Sequence, residues 1–151
     1  MRVVLQRVSE GSVTVDGEIT GAVDSGFVAL VGVTHDDTPA QAEMLAKKTA
    51  HLRVFPDENG KLNLSALDCD AGVLVVSQFT LYADTRKGRR PSFIDAAPPD
   101  VASPLVDHYA KTLRREGVKR VESGIFGAMM QVSICNDGPV TIILDTRDLM
   151  A

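Results

Sequence analysis

The sequence contains few of the residues that mark metal sites, disulfide frameworks or membrane spans. Its two cysteines, Cys69 and Cys135, form no close pair, and neither stands with a histidine at the spacing of a zinc ligand set. No apolar run approaches the roughly 18–20 residues of a membrane-spanning helix, and the N-terminus lacks the apolar core of a signal peptide. We therefore expect a protein of a reducing compartment, the cytoplasm, without a disulfide, a metal site or a membrane span.

The sequence motifs of familiar hydrolases are also missing, since neither a GxSxG elbow, an HExxH pair nor a P-loop is present. His51 and His108 lie on predicted helices, where packing or surface roles are usual for histidine. His35, beside Asp36 and Asp37 at the end of a predicted strand, is the best histidine candidate for acid–base chemistry, although a solvated loop explains it more simply. The sequence thus shows no side chain that is evidently activated as a nucleophile.

What remains is the composition of one ordinary globular domain. The chain has 151 residues, of which 44% are hydrophobic and 24% are charged, and this length suits a single domain spanning residues 1–151. Sixteen Lys and Arg against twenty Asp and Glu give a net charge of −4. That balance argues against a surface that wraps nucleic acid through bulk charge, so any such contact must be local.

Two groups of cations stand out against this acidic background. Residues 86–90 hold four cations around Gly88, on a predicted loop. A solvated loop is the usual explanation of such a cluster taken alone. The second group, on and after the second predicted helix, consists of Lys111, Arg114, Arg115, Lys119 and Arg120. If both groups lie on one face, that face would attract a phosphate backbone, which makes RNA a candidate partner.

Hydrophobic alternation and turn signals predict about eight short strands. Asp16-Gly17 between two extended segments predicts a type I′ hairpin. The apolar runs at 26–34 and 72–79 have the length of strands that are buried on both faces. A turn is expected at Asn136–Pro139, and three late strands are expected near residues 120–123, 128–135 and 140–145.

Two helices are predicted between the strands. The first has Thr38 as its N-cap, with Gln41 completing a capping box. The second begins either near Pro99 or at Ser103-Pro104, and it ends before Gly117. Because strands and helices do not alternate regularly, the pattern predicts an α+β domain with a curved, barrel-like sheet rather than a doubly wound one.

Two segments of the sequence identify a family. Ser77-Gln78-Phe79-Thr80-Leu81 ends the second buried strand, and Asn136-Asp137-Gly138-Pro139-Val140-Thr141 precedes the last one. At these residues the sequence resembles the D-aminoacyl-tRNA deacylases, chirality-proofreading enzymes whose signatures are SQFTL and NxGPVT. The segments VLQRV, GRRPSF and MQVS extend the resemblance over essentially the whole chain. The phenylalanine and the valine within the two signatures favour the D-specific branch of the family over its sister branch.

The resemblance implies an enzyme that hydrolyses the ester bond between a D-amino acid and tRNA, and also that of mischarged glycyl-tRNA, while it rejects L-aminoacyl-tRNA. It implies a homodimer with shared active sites that acts on the aminoacylated 3′ end of tRNA. No metal, organic cofactor, DNA or membrane is expected. The alternatives are a non-catalytic RNA-binding module and an esterase with a threonine nucleophile, both of which leave the paired motifs unexplained.

The chemistry of such a substrate fits the absence of a catalytic triad. An aminoacyl ester is already activated and its neighbouring ribose hydroxyl can assist, so hydrolysis needs positioning and oxyanion stabilisation more than a strong base. We expect backbone N–H groups around Phe79 and Thr80 to polarise the ester carbonyl. Thr80 is expected to orient rather than to attack, although a nucleophilic role remains the alternative. Ser77 and Gln78 are expected to shape the pocket floor, or else to form a satisfied buried polar pair.

The resemblance also assigns roles to residues outside the SQFTL segment. Gly138 and Pro139, joined by a cis peptide bond, are implied to enter the partner subunit's pocket, to hold the substrate's α-amino group and to exclude L side chains. An ordinary hairpin turn is the alternative. Arg7 is implied to brace this element, against the alternative of an exposed strand cation. Phe126 and Met129 are implied to contact the terminal adenine, although core packing explains them equally well.

Overall fold

A computed structural model describes residues 1–150 of the chain, and in them the predicted α+β class with a curved mixed sheet is confirmed. The strands are β1 (Arg2–Val15), β2 (Glu18–Val23), β3 (Gly26–Gly32), β4 (Phe55–Pro56), β5 (Leu62–Leu64), β6 (Gly72–Ser77), β7 (Val121–Ser123) and β8 (Gln131–Asp145). The helices are α1 (Pro39–His51), a 3-10 helix (Phe79–Tyr82), α2 (Pro99–Glu116) and α3 (Thr146–Leu149). Within residues 1–150 no helix is long and apolar enough to cross a membrane.

The sheet is built around the long strand β1. Its main path runs in the order β2-β1-β3-β6-β7, and β8 also pairs with β1. β1 is antiparallel to β2, β3 and β8, whereas β6 is parallel to both β3 and β7. The two runs predicted to be buried on both faces are β3 and β6, at the centre of this path, and nearly all of their residues are buried. Helices α1 and α2 contact each other and cover the larger hydrophobic core.

The signals for the Asp16-Gly17 hairpin and for the ends of the two long helices are confirmed. Asp16 and Gly17 have φ values of 50° and 81°, which is the left-handed pair that a type I′ hairpin needs. The Gln41 side chain accepts a hydrogen bond from the Thr38 backbone N–H at 2.8 Å, at the start of α1. Helix α2 begins at Pro99, the earlier of the two predicted positions, and ends at Glu116, before the C-cap residue Gly117, which has φ 112°.

The prediction of a turn at Asn136–Pro139 between two separate strands is wrong. β8 is one strand, and both of its halves pair with the same edge of β1. Val8 pairs with Asn136 and Gln6 pairs with Thr141, so residues 137–140 bulge out of the ladder opposite Arg7. A break of this kind in a strand looks like a turn in sequence. A bulge within one strand differs from a turn between two strands in that both halves of β8 pair with the single long strand β1.

Two short helices were not predicted from the sequence, and each has a local cause. The 3-10 helix follows β6 directly, and α3 follows β8 directly. At the start of α3 the Asp145 carboxylate accepts a hydrogen bond from the Arg147 backbone N–H at 3.0 Å, which is an N-cap interaction. Both helices are only four residues long, too short for hydrophobic periodicity to reveal.

Candidate active site

The SQFTL segment lies where a buried strand gives way to a short helix. β6 ends at Ser77, and the Gln78 backbone N–H donates to the Val31 carbonyl of β3 at 2.7 Å. The 3-10 helix then begins at Phe79. Because the first N–H groups of a helix have no carbonyl of a preceding turn to bind, those of Phe79 and Thr80 are available to a ligand. Two adjacent backbone N–H groups without an intrahelical partner are donors of the kind that can bind an anionic oxygen.

A cavity of about 390 Å³ opens beside this helix start. Its walls come from β3, β6, the segment before α2, the first turns of α2 and the loop after β7. Its lining residues are Val31, Val33, Ser77, Gln78, Phe79, Phe93, Ala96, Ala97, Pro99, Ala102, Val106, Phe126 and Gly127. The lining is largely apolar, with Ser77 and Gln78 as its polar side chains, as is common for a small-molecule pocket.

A second cavity of about 350 Å³ adjoins the first, and the two share four lining residues: Ser77, Gln78, Phe79 and Gly127. Phe79 therefore contributes to the walls of both cavities. Met129 lines the second cavity and is 91% exposed, while Phe126 lines the first and is 38% exposed. Core packing, the alternative explanation for these two side chains, is therefore wrong within the single chain.

The cavity wall contains a residue that the sequence did not single out. The Phe93 ring lies edge-on to Phe79, with a centroid distance of 5.0 Å and an interplanar angle of 72°, a favourable aromatic geometry. Two hydrogen bonds from the segment after β3 hold the segment that carries Phe93. Thr34 Oγ1 donates to the Asp95 carbonyl and His35 Nε2 donates to the Ile94 carbonyl, both at 2.6 Å. His35 thus holds the cavity wall and does not face the cavity. The family resemblance of the GRRPSF segment, which ends at Phe93, was the sequence signal that could have identified this residue.

The Thr80 hydroxyl has an amide as its partner and no base. Gln78 Nε2 donates a hydrogen bond to Thr80 Oγ1, and an amide cannot take the proton that a nucleophilic threonine must lose. Thr80 is exposed and lines neither cavity. In residues 1–150 no group of three or more His, Cys, Asp or Glu side chains could hold a metal ion.

The Gly138-Pro139 bulge is exposed, and the buried Arg7 side chain is hydrogen-bonded to its backbone. The Gly138–Pro139 peptide bond is cis, and Gly138 has φ 126°. Arg7 is only 7% exposed, so the alternative of an exposed strand cation is wrong. Its Nε donates to the Asp137 carbonyl at 3.0 Å and its Nη1 donates to the Val54 carbonyl at 2.7 Å. The guanidinium therefore ties the bulge to the loop before β4.

The bulge and the cavity lie apart within one chain. On β3, the partner of Arg7 is Phe27, whereas the partner of Ser77 is Val31. Four residues along a strand amount to about 13 Å, and β1, β3 and β6 separate the two elements laterally. None of residues 137–140 lines either cavity. One chain thus brings together Ser77, Gln78, Phe79, Phe126 and the neighbouring Met129, but not Gly138 or Pro139.

An ionic cluster around the buried Asp145 carboxylate anchors the far end of the 3-10 helix. Arg2 Nη1 donates to the Leu81 carbonyl at 2.6 Å, the Arg2 guanidinium lies 4.8 Å from the centre of the Tyr82 ring, and Arg2 also binds Asp145 at 2.9 Å. Burial alone would raise the pKa of Asp145, but hydrogen bonds from Arg147 and Arg2 outweigh it and lower that pKa to about 2. Burial raises the pKa of Tyr82 to about 12, so its phenol stays neutral.

Replacing Asp145 with asparagine should make the stability of the protein less dependent on pH. The folded-state pKa of Asp145 is about 2 against its usual 3.8, so its charge stabilises the fold above pH 3.8 and this stabilisation is lost as pH falls towards 2. We expect Asp145→Asn to lower the free energy of unfolding by about 2 kcal/mol at pH 7, and the deficit to shrink below pH 4. Urea unfolding between pH 3 and 7 measures it. Asp148→Asn, which removes an exposed carboxylate from the helix that Asp145 caps, should change the free energy of unfolding by less than about 0.5 kcal/mol.

Comparison with known proteins decides the family. The family model for D-Tyr-tRNA(Tyr) deacylase matches residues 4–145. The chain belongs to this family. A D-aminoacyl-tRNA deacylase of Thermomicrobium roseum is 63% identical over 149 residues, covering 99% of this chain and 96% of the relative, and one of Thermus aquaticus is 59% identical over 148 residues, covering 98% and 97%. The family assignment made from the two motifs is therefore confirmed, and with it the assignment of the chain to the deacylase enzymes.

Solved structures agree with the fold. A structure described as a c-Myc DNA unwinding element binding protein has a TM-score of 0.90 at 41% identity, covering 96% of this chain and 98% of that one. A structure of a probable eukaryotic D-amino acid tRNA deacylase has a TM-score of 0.83 at 20% identity, covering 95% and 97%. At that identity the second likeness concerns the fold alone.

Proposed function

We propose that the protein hydrolyses the ester bond of D-aminoacyl-tRNA, and of glycyl-tRNA mischarged on another tRNA, to release free amino acid and tRNA in the cytoplasm. The observation that carries the proposal is the apolar cavity at the end of β6, whose rim is the N-terminus of the 3-10 helix. The free N–H groups of Phe79 and Thr80 lie where an ester carbonyl would develop negative charge. The relatives at 59–63% identity support this choice of substrate.

The reaction needs no side-chain nucleophile. Water attacks the ester carbonyl carbon, the carbonyl oxygen becomes an oxyanion bound by the backbone N–H groups, and the bond to the ribose 3′ oxygen breaks when that oxygen is protonated. The neighbouring ribose 2′-hydroxyl assists the proton transfer. The protein need not supply a base for this step, in keeping with Thr80, whose hydroxyl has an amide and not a base as its partner. Positioning and oxyanion stabilisation then supply most of the rate enhancement. Thr80 orients Gln78 at the cavity floor.

Chirality is read by the bulge of a second copy of the chain. Gly138 and Pro139 are exposed and lie away from the cavity of their own chain, so they are free to enter the cavity of a partner. There their carbonyl groups would bind the substrate's α-amino group and leave no room on the side where an L side chain would lie. Glycine has no side chain, so glycyl esters pass this filter.

The edge of the sheet supports the dimer. In the described sheet, β8 pairs with β1 along one edge only, which leaves its other edge open. Ile143 on β8 is 67% exposed. An open edge with exposed apolar side chains is commonly covered by another chain in the native assembly. A symmetric dimer through this region would bring each bulge to its partner.

The terminal adenosine of the tRNA would bind where the two cavities adjoin. Phe126 offers an exposed aromatic ring and Met129 an exposed flexible side chain at the two adjoining cavities. Unpaired RNA bases are commonly bound by stacking on such groups. The amino acid would then occupy the cavity lined by Ala96, Ala97 and Ala102.

Hydrolysis of matched substrates tests the proposed function. Incubated with D-tyrosyl-tRNA and with L-tyrosyl-tRNA, the protein should release tyrosine from the D ester and leave the L ester intact, and EDTA should leave the rate unchanged. Acid-precipitable radioactivity, followed over time, measures both rates. Equal release from both esters, or binding of tRNA without release from either, contradicts the proposal. The second result would instead indicate an RNA-binding module.

A further inference from the structure

We infer that the loop Thr85–Pro91, here called the basic loop, binds phosphates of the RNA strand that leads into the cavity. The inference rests on the proposed function and extends it beyond the terminal nucleotide. It assigns a binding role to Lys87, Arg89 and Arg90, which that function leaves unused. The partner chemistry is the phosphodiester backbone of the acceptor strand.

The backbone fixes the basic loop at the rim of the cavity. The backbone groups of Asp84 and Ser92 exchange two hydrogen bonds of 2.8 Å, which close the loop at its base. The chain enters that base from the 3-10 helix and leaves it towards Phe93, both of which border the cavity. Arg90 precedes Phe93 by three residues, so their Cα atoms are at most about 11 Å apart. A strand whose 3′ end occupies the cavity therefore passes near the loop.

The charges of the loop are available to a ligand. The Asp84 carboxylate accepts hydrogen bonds from Arg86 Nε at 2.9 Å and Nη2 at 2.7 Å, so this ion pair carries no net charge. This arrangement lowers the pKa of Asp84 to about 2. Lys87, Arg89 and Arg90 are exposed, and no ion pair within residues 1–150 engages them. Three free cations thus project from a protein whose net charge is −4.

The second cationic group found in the sequence is less available. Lys119 pairs with Asp70 at 3.3 Å and Arg120 pairs with Asp24 at 3.2 Å. Arg114 donates to a backbone carbonyl and Arg115 to a hydroxyl. The remaining member, Lys111, is exposed, and no ion pair within residues 1–150 engages it. The second group thus offers one unengaged cation where the basic loop offers three within four residues, so the basic loop is the stronger phosphate site.

Binding of an uncharged RNA tests the inference independently of catalysis. The probe is a labelled RNA hairpin with a single-stranded 3′ CCA overhang, titrated with protein between 50 and 200 mM salt and followed by fluorescence anisotropy. The variant Lys87→Gln/Arg89→Gln/Arg90→Gln should bind at least about tenfold more weakly at 50 mM salt, and its log–log salt slope should fall by about 2 to 3. The matched control Lys47→Gln/Lys48→Gln/Lys61→Gln removes the same charge from exposed positions that line neither cavity, and should lose less than about twofold.

Two substrates connect this binding to turnover. The loop variant should lose kcat/KM on D-tyrosyl-tRNA but hydrolyse D-tyrosyl-adenosine, which lacks the phosphates, at the wild-type rate; the second rate also shows that the variant is folded. If the loop variant binds the hairpin with the affinity and salt slope of the wild type, and the wild type is active, the inference about the loop is overturned while the proposed function stands. Wild-type protein that hydrolyses neither ester would overturn the proposed function, while the binding measurement still decides the role of the loop. Loop-dependent binding of a DNA duplex but not of the hairpin would also overturn the assignment to RNA.

Discussion

The variant Gly138→Ala should hydrolyse D-tyrosyl-tRNA at least about 100-fold more slowly than the wild type, because a displaced bulge could not take the place that we propose for it in the partner's cavity. Gly138 has φ 126°, a left-handed conformation that a side chain disfavours. A Cβ there would lie 3.0 Å from Val140 and 3.1 Å from Arg7 Nη2. A displacement of about 1 Å in a positioning element is enough for a 100-fold loss.

The fold should survive this substitution, since both halves of β8 remain paired with β1. Gly60→Ala is the matched control: Gly60 also has a positive φ, of 76°, but a Cβ there meets no atom within 4 Å, and the turn lies away from the cavity. Single-turnover rates and the dimer mass of both variants give the comparison. Wild-type activity in a dimeric Gly138→Ala protein would show that the bulge has no part in the site.

The variant Phe79→Asp should lower kcat by about 100-fold or more. A carboxylate at this position would stand beside the N–H groups assigned to the oxyanion and would repel the negative charge that develops there, which is comparable in effect to losing an oxyanion donor. Phe79 is 57% exposed, so the substitution costs little core packing. Phe79→Leu keeps an apolar side chain over the same backbone and should stay within about tenfold of the wild type.

The division between kcat and KM is informative for Phe79. If its N–H acts on the transition state, the aspartate should reduce kcat more than it raises KM. Steady-state kinetics on D-tyrosyl-tRNA, with thermal unfolding as a check on folding, separates the two effects. An aspartate variant with an unchanged kcat would exclude the start of the 3-10 helix as the oxyanion site.

The elements with local signals were predictable from the sequence. The Asp16-Gly17 hairpin, the cap at Thr38 and the two buried strands each depend on a few neighbouring residues, and each is where the pattern predicts it. The two family motifs marked the residues at the end of β6 and those at 136–141, although not the bulge that the second group forms. Spatial proximity was not predictable: Phe93 reaches Phe79 through a loop whose course depends on hydrogen bonds to Thr34 and His35.

The bulge of β8 could not be predicted from the sequence, because it depends on long-range strand pairing. Asn136 to Pro139 has the residues of a turn, and a local pattern cannot show that the strands on either side meet the same edge of β1. The burial of Arg7 likewise depends on long-range contacts, with the carbonyl of Val54 and with residue 137. Such contacts join distant parts of the chain, so only the folded structure reveals them.

Mixing two inactive variants tests most directly whether the cavity is shared between subunits. Gly138→Ala retains the cavity and loses the bulge, whereas Phe79→Asp loses the cavity and retains the bulge. If each active site combines one subunit's cavity with the other's bulge, unfolding and refolding the two together should restore about a quarter of the wild-type rate on D-tyrosyl-tRNA, since half of the dimers would be mixed and each would hold one intact site. A mixture no more active than its separate components would contradict the account.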